Sequence, residues 1–175
     1  TDTRLGIGIN CCYPNFQHWN RFAKCFRMTQ NRAAVEKYFD REAQRFEGIY
    51  TTANTGLLQK FVDRLFRTRM LQRRNAVVAD MIEAGANCLD VGCGSGRTAI
   101  ALAQTRDATV HGLDISATIL QIARENAANL ALSNRCSFEQ ADFLSWPAEQ
   151  SYDVVIGVGL LDYFDDPLPF LQKAA

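Results

Sequence analysis

The chain has 175 residues, of which 47% are hydrophobic and 22% are charged, and its formal net charge is zero. This size and composition predict one globular domain with a sizeable core, and they exclude a disordered, collagen-like or low-complexity chain. Zero net charge gives no global signal for a nucleic-acid or anionic-membrane partner. No apolar run approaches the roughly 18 residues that span a bilayer, so no transmembrane segment is expected.

The cysteines and the N-terminus bear on the cellular compartment. The N-terminus lacks the continuous apolar region of a secretory signal. The cysteines form neither CxxC pairs nor a Cys/His zinc spacing, which predicts reduced thiols in a cytoplasmic protein without a metal site. They are Cys11, Cys12, Cys25, Cys88, Cys93 and Cys136.

The first part of the chain divides into two segments. Residues 1–27 show no helical or strand period, and the first methionine is Met28. We therefore hypothesise that 1–27 is a non-native segment and that the native protein starts at Met28. Apolar residues at helical spacing predict a helical extension over 28–84, broken near Thr68 and stopped at Gly85.

Short apolar runs then alternate with helical stretches. This alternation predicts an α/β domain over 85–175, with a Rossmann-like, mostly parallel sheet and flanking helices. Asp166-Pro167 provides a cap and first turn for a last helix. The predicted strands are Cys88–Val91, Thr109–Leu113, Cys136–Phe138 and Tyr152–Val158, and the helices between them are Thr98–Gln104 and Ala117–Leu130.

A glycine loop follows the first of these strands. Asp90 is followed by Gly92, Gly94 and Gly96 at alternate positions before a helix begins. Glycines let a ligand approach the main chain, and the helix N-terminus adds free N–H donors. Dinucleotide binders use G-x-G-x-x-G, but here the third glycine comes one residue early. The preceding carboxylate would repel a pyrophosphate and attract an ammonium group, so a ligand with an amino group and no phosphates fits better.

Two further acids follow the next two strands. Asp114 can accept both hydroxyls of a ribose, or it can cap the helix that starts at Ser116. Asp142 is followed by Phe143, an aromatic residue that could cover a base, although a solvated loop acid is the alternative for Asp142. The carboxyl ends of adjacent parallel strands lie at one edge of a sheet, where open α/β sheets bind ligands.

Four motifs together resemble those of class I S-adenosylmethionine (SAM)-dependent methyltransferases, and the resemblance runs from about Ala76 to the chain end. The motifs are D-V-G-C-G-S-G, G-L-D, A-D-F and Y-D-V-V-I-G-V-G-L-L-D-Y. The resemblance implies SAM as cofactor and methyl transfer to a small-molecule acceptor. It places the glycine loop around the methionine moiety, Asp90 near its amino group and Asp114 at the ribose. The implied cofactor-binding residues are Asp90, Gly92, Cys93, Gly94, Gly96, Asp114, Ile115, Asp142, Phe143 and Gly157.

One feature relates the chain to particular members of this family, and another distinguishes it from complete members. The segment Tyr38–Tyr50 is similar to the N-terminal helical lid of small-molecule enzymes, including the quinone-biosynthesis and magnesium-protoporphyrin O-methyltransferases. A complete member has a seven-stranded sheet, whereas four strands are predicted here. We therefore expect a truncated fold in which the fourth strand has an unpaired edge. A cofactor-binding but inactive remnant is the alternative function.

Other function classes fit less well. A nicotinamide-dependent oxidoreductase would share the fold, but the glycine spacing is wrong for it. A nucleic-acid methyltransferase usually carries Asn/Asp-Pro-Pro-aromatic after the fourth strand, and a protein-arginine methyltransferase carries paired glutamates there; neither is present. Asp162 and Tyr163 are weak acceptor-side candidates, and no catalytic base is identified.

Several residues have a plainer interpretation. A basic stripe on the second helical region could dock an anionic lipid or an acidic substrate, but a solvated helix face is preferred, so peripheral membrane contact is not favoured. Cys93 is interpreted as a small loop filler rather than a nucleophile. His111 shows no partner spacing and is assigned a structural role. The stripe consists of Lys60, Arg64, Arg67 and Arg74.

Overall fold

The elements below come from a computed structural model that describes residues 8–9, 37, 40, 57–147, 150–164 and 166–175, without the side chains of 8–9, 57–68 and 162. The hypothesis on residues 1–27 and the lid-like segment Tyr38–Tyr50 therefore lie almost wholly outside the described residues. In chain order the elements are β1 (Gly8–Ile9), α1 (Leu57–Asp80), β2 (Asn87–Val91), α2 (Arg97–Arg106), β3 (Thr109–Asp114), α3 (Ala117–Asn129), β4 (Cys136–Gln140), β5 (Val154–Val158), a 3-10 helix (Leu161–Tyr163) and α4 (Leu168–Ala174).

The strands form one sheet in the order β1-β5-β2-β3-β4, and each of these neighbouring pairs is parallel. The central strand β2 is buried on both faces, which explains why Cys88–Val91 reads as a nearly continuous apolar run interrupted by Asp90. Chain order reverses at β2, because β3 and β4 lie on one side of it and β5 on the other. Such a reversal opens a crevice at the carboxyl ends of the strands. The predicted α/β fold is confirmed.

Apolar side chains cover the two faces of the sheet unequally. The larger core joins α1, α2 and α3 to one face, through residues such as Val78, Leu120 and Phe138. The smaller core, on the other face, includes Leu89 of β2 and Phe170 of α4. Successive side chains of a strand point to opposite faces, so the two cores draw on alternate strand residues.

The helices match their predicted positions closely, with one correction. Helix α1 runs unbroken from Leu57 to Asp80, so the predicted break near Thr68 is wrong. Threonine is only a weak helix former, and its modest cost does not interrupt a helix of 24 residues. The prediction for the last helix holds in part: Asp166 Oδ1 accepts from the Leu168 N–H at 2.9 Å, but the N-cap position belongs to Pro167 and not to Asp166. In the described part of the chain, no helix is both long and apolar enough to cross a membrane.

The outer edge of β5 corrects a second expectation. β1 pairs with β5 in parallel, with Gly8 opposite Gly157 and Ile9 opposite Val158. This strand was expected to present an unpaired edge, and two residues from the start of the chain instead cover part of it. Edge strands carry unpaired backbone groups, and even a short added strand satisfies some of them.

Candidate functional site

The glycine loop between β2 and α2 has the conformation that its sequence predicts. Gly92, Gly94 and Gly96 all have positive φ values, of +69°, +53° and +75°. Residues other than glycine rarely adopt this left-handed region. A Cβ at Gly96 would lie 2.8 Å from Phe138 Cζ, whereas at Gly94 the described residues offer only Ile119 Cδ1, at 3.8 Å. The loop is therefore packed closely at Gly96 and open at Gly94.

Hydrogen bonds fasten this loop to the end of β3. The N–H groups of Gly92 and Cys93 both donate to the Leu113 carbonyl, at 2.8 and 3.0 Å. The Gly94 N–H donates to Asp114 Oδ2 at 2.9 Å. The carboxyl end of β3 thus determines where the glycine loop lies.

Asp114 also connects to the start of α3. Its Oδ1 accepts a hydrogen bond from the Ser116 N–H at 3.0 Å. The N-cap of α3 is Ser116, whose Oγ accepts from the Ile119 N–H at 3.3 Å. The alternative interpretation of Asp114 as the cap of this helix is therefore wrong, because Ser116 fills that position. Burial raises the pKa of Asp114, while hydrogen bonds from Ser116, Gly94 and Ile115 oppose the rise.

Asp90 is a buried acid directly below the loop. Asp90 is only 2% exposed, and its Oδ2 has no hydrogen-bond partner within the described residues. Burial raises the pKa of Asp90 to about 7; the Arg74 guanidinium opposes this shift and the Asp114 carboxylate adds to it. A buried carboxylate with an unpaired oxygen is stabilised by a cationic donor, which is the property expected of a group that receives an ammonium ion.

Arg74 belongs to this region, although the sequence placed it on a solvated stripe. It is half-buried on α1, and its Nη2 donates to Thr98 Oγ1 at 3.4 Å, beside the start of α2. Its Nε is buried without a partner in the described part of the chain. The helical period of the sequence already indicated this position, because Arg74 lies four residues before the buried Val78 on the same helix. The side chains of the other stripe residues, Lys60, Arg64 and Arg67, lie outside the described set.

Asp142 and Phe143 follow β4 at the same edge of the sheet. The Ala141 N–H donates to the Asp114 carbonyl at 3.0 Å, which brings this turn beside the end of β3. Asp142 Oδ1 accepts from the Leu144 N–H at 3.2 Å. The Phe143 ring is 6% exposed and packs at 5.0 Å from the Phe170 ring. The Phe143 ring is part of the smaller core, and this packing argues against the expectation that the ring covers a base.

The remaining predicted residues divide between the edge and the core. The Ile115 carbonyl lies at the edge and accepts from Gln140 Nε2 at 2.9 Å. Gly157 is buried within β5, where a Cβ would lie 3.2 Å from Phe170 Cζ, so its evident role is packing. Burial raises the pKa of the Cys93 thiol well above its usual value, which agrees with a loop filler and not with a nucleophile. Tyr163 is half-buried in the 3-10 helix.

His111 has partners that its sequence spacing did not reveal. In the middle of β3, its Nδ1 lies 2.7 Å from Ser137 Oγ and its Nε2 lies 3.1 Å from Glu139 Oε2, both on β4. The Trp146 ring stacks on the imidazole at 5.8 Å. The described residues include no group of three or more His, Cys, Asp or Glu that could hold a metal ion. This cluster joins β3 to β4 away from the carboxyl edge.

A family model described as a methyltransferase domain matches residues 82–175, which is more than half of the chain. The chain belongs to this family. The matched range begins just before β2 and so contains the glycine loop, Asp114 and Asp142. The resemblance to class I SAM-dependent methyltransferases is thereby confirmed.

Individual relatives cover different shares of the chain. The magnesium-protoporphyrin O-methyltransferase of Rhodobacter capsulatus is 31% identical over 142 residues, which are 78% of this chain and 59% of that protein. The 27-O-demethylrifamycin SV methyltransferase of Amycolatopsis mediterranei is 34% identical over 95 residues, 54% of this chain and 35% of the relative. The chain thus spans about a third to three fifths of the length of these curated relatives.

A solved structure extends the likeness to the fold. Magnesium protoporphyrin IX methyltransferase from Synechocystis PCC 6803, crystallised with bound SAM, is 28% identical and superposes with a TM-score of 0.63. The alignment covers 81% of this chain and 67% of that one. The sheet and its flanking helices are therefore those of the methyltransferase fold.

We predict a pH dependence of stability that arises from Asp90. Its pKa is about 7 in the fold, against the ordinary value of 3.8. Between these two pH values the folded state therefore binds more protons than the unfolded state. The free energy of unfolding consequently falls as pH rises through this window, by at most about 1.4 kcal/mol per pH unit. Urea denaturation at pH 5, 6, 7 and 8 measures this. Asp90→Asn removes the contribution, so wild type should lose stability relative to the variant as pH rises; parallel curves would contradict the shifted pKa.

Proposed function

We propose that this chain binds SAM at the carboxyl edge of β2, β3 and β4, and that the protein transfers a methyl group from SAM to a small-molecule acceptor. The observation that carries the proposal is the junction in which Gly94 and Ser116 hold the Asp114 carboxylate beside an open glycine loop. Membership of the methyltransferase family supports it independently. When bound, SAM supplies a methyl group activated by its sulfonium.

Asp114 is suited to bind the ribose. An ionised carboxylate offers about four acceptor sites, and backbone N–H groups occupy only part of them. The N–H donors of Gly94 and Ser116 fix both carboxylate oxygens, one each. The remaining lone pairs can accept the two ribose hydroxyls, and no reorganisation is needed because the carboxylate is already held.

The glycine loop and Asp90 are suited to the amino-acid end of SAM. The space beside Gly94 lets a ligand lie against the main chain, where a side chain would otherwise stand. Asp90, at the end of the strand before this loop, has a carboxylate oxygen without a partner among the described residues, and an ammonium group there would favour its ionised form. The Arg74 guanidinium, near the start of α2, is a cation that can balance the ligand's carboxylate.

The adenine is placed at the turn after β4. Asp142 lies in that turn, which a backbone hydrogen bond joins to Asp114. Because the Phe143 ring packs on Phe170, we assign the base contact to the backbone of Phe143 rather than to its ring. Asp142 then contributes a carboxylate at the edge of the base.

The acceptor is proposed to be a small molecule. The magnesium-protoporphyrin and rifamycin relatives are named for small-molecule acceptors, and the chain's zero net charge gives no support for nucleic acid. In methyl transfer the protein mainly positions the acceptor in line and excludes water. A general base is needed only if the acceptor arrives protonated.

Calorimetric titration of the wild-type chain with S-adenosylhomocysteine, with NADH as control, tests the proposal. Micromolar binding of S-adenosylhomocysteine without binding of NADH is the expected result. A cooperatively folded chain that binds NADH, or neither ligand, would contradict the proposed cofactor. Binding without methylation of any acceptor would retain the cofactor site and favour the inactive remnant.

Removal of the Asp114 carboxylate should abolish most of the affinity. Asp114→Ala deletes two charge-assisted hydrogen bonds to the ribose, so the Kd for S-adenosylhomocysteine should rise about 100-fold. Glu125→Ala is the matched control, because it removes an exposed carboxylate from the body of α3. Calorimetry gives both values, after a thermal melt confirms that each variant is folded. Equal affinities of the folded Asp114→Ala variant and the control would exclude the ribose role.

A second pair of variants tests the open space at the loop. Gly94→Arg fills the space beside the loop and should abolish S-adenosylhomocysteine binding. Gly85→Arg is the control: Gly85 also has a positive φ, of +77°, and an unobstructed Cβ position, but it lies before β2, at the opposite edge of the sheet. Backbone strain is therefore similar in both variants. Binding by Gly94→Arg with an unchanged Kd would show that the ligand lies elsewhere.

A further inference from the structure

Asp40, which precedes α1 in the chain, contacts the start of α3 beside the candidate site. Its Oδ1 accepts a hydrogen bond from Ser116 Oγ at 2.5 Å, across 76 positions of the sequence. The same oxygen lies 3.4 Å from the Thr118 backbone nitrogen. Asp40 is half-buried, whereas Lys37, the other described residue between β1 and α1, is exposed. A carboxylate at the first turn of α3 also interacts favourably with the helix dipole.

This contact completes a continuous series of hydrogen bonds. The Ser116 hydroxyl donates its single proton to Asp40, which leaves its lone pairs free to accept from the Ile119 N–H at 3.3 Å. The Ser116 N–H donates to Asp114 Oδ1, and Asp114 Oδ2 accepts from the Gly94 N–H. Asp40 is thus connected, through Ser116 and Asp114, to the glycine loop.

Burial makes the contact consequential. Ser116 is fully buried, with 0% exposure, so its hydroxyl cannot exchange Asp40 for bulk water. A buried hydroxyl that loses its acceptor destabilises the fold by its desolvation free energy, so it reorients towards another acceptor. Within this series the neighbouring acceptor is Asp114, and a reoriented Ser116 would disturb the turn that holds that carboxylate.

The contact also has an electrostatic cost. The Asp40 carboxylate acts on Asp114 as a like charge and adds to the rise in its pKa, after burial, which is the main cause. The two carboxylates of Asp40 and Asp114 repel each other, so the hydrogen bonds that Asp40 accepts from Ser116 and Thr118 must offset this repulsion. For the Asp114 carboxylate, the useful feature of Asp40 is therefore its acceptor oxygen, because its negative charge favours the α3 dipole but repels Asp114.

We propose that Asp40 is a positioning residue of the SAM site: its acceptor oxygen orients Ser116, and Ser116 holds Asp114 in the geometry that receives the ribose. The proposal rests on the proposed function and deepens it. Asp40 is assigned no contact with the cofactor, and its effect is transmitted through Ser116.

Three variants separate the acceptor from the charge. Asp40→Ala should raise the Kd for S-adenosylhomocysteine about tenfold, the effect of one lost hydrogen bond to a buried donor. Asp40→Asn keeps an oxygen that can accept from Ser116, so its Kd should remain within about threefold of wild type. Lys37→Ala, the control three residues away, should leave the Kd unchanged. If Asp40→Asn weakened binding as much as Asp40→Ala, the acceptor would not be the decisive group and the proposal would fail.

A double-mutant cycle tests transmission through Ser116. In the Ser116→Ala background the hydroxyl is gone, so a further Asp40→Ala substitution should change the Kd by less than about twofold. An unchanged tenfold loss in that background would show that Asp40 acts on the ligand by another route. Ser116→Ala keeps its backbone N–H to Asp114, so measurable binding should persist.

Hydrogen exchange tests the contact without a cofactor and so separates it from the proposed function. In the unliganded chain, Asp40→Ala should speed exchange of the Gly94, Ser116 and Ile119 amides, while Lys37→Ala should not. Unchanged exchange in a folded Asp40→Ala chain would overturn the positioning role. If wild type failed to bind S-adenosylhomocysteine while these amides responded as expected, the proposed function would fail and the contact would stand.

Discussion

The Asp114 carboxylate holds together the two loops on which the candidate site depends. One oxygen receives the Gly94 N–H of the glycine loop, and the other receives the Ser116 N–H at the start of α3. Each loop alone is a short turn with several backbone donors to satisfy. Because a single side chain at the end of β3 serves both loops, the residue that sets the loop geometry is also the acid that we propose binds the ribose.

Asp90 and Asp114 are two buried acids close to each other, and a ligand could stabilise their ionised forms. Burial raises the pKa of Asp90 and of Asp114, and Asp114 adds to the rise at Asp90. Hydrogen bonds from backbone N–H groups stabilise the charge on Asp114, while one oxygen of Asp90 has no partner in the described part of the chain. A ligand with an ammonium group and a pair of hydroxyls would satisfy both acids, and this combination distinguishes SAM from a dinucleotide.

Local sequence pattern predicted most of the fold and supplied most residues of the candidate site. The strand–helix alternation, the glycine loop, the acid at the end of β3 and the acid after β4 follow from neighbouring residues, so they could be predicted from the sequence. Contacts between distant residues could not: Asp40 meets Ser116 across 76 positions, and the partners of His111 lie on the next strand. Phe143 shows a third limit, because an aromatic after a strand can face a ligand or the core, and only the packed structure places its ring against Phe170.

Amide chemical shifts during titration with S-adenosylhomocysteine test the central claim most directly, because they report where on the sheet a ligand lies. A ligand at the carboxyl edge should shift the amides of Gly94, Ile115 and Asp142. The amides of Asn87 and Thr109, at the amino ends of β2 and β3, should stay in place. Shifts centred on Asn87 and Thr109, or none at Gly94, would contradict the account.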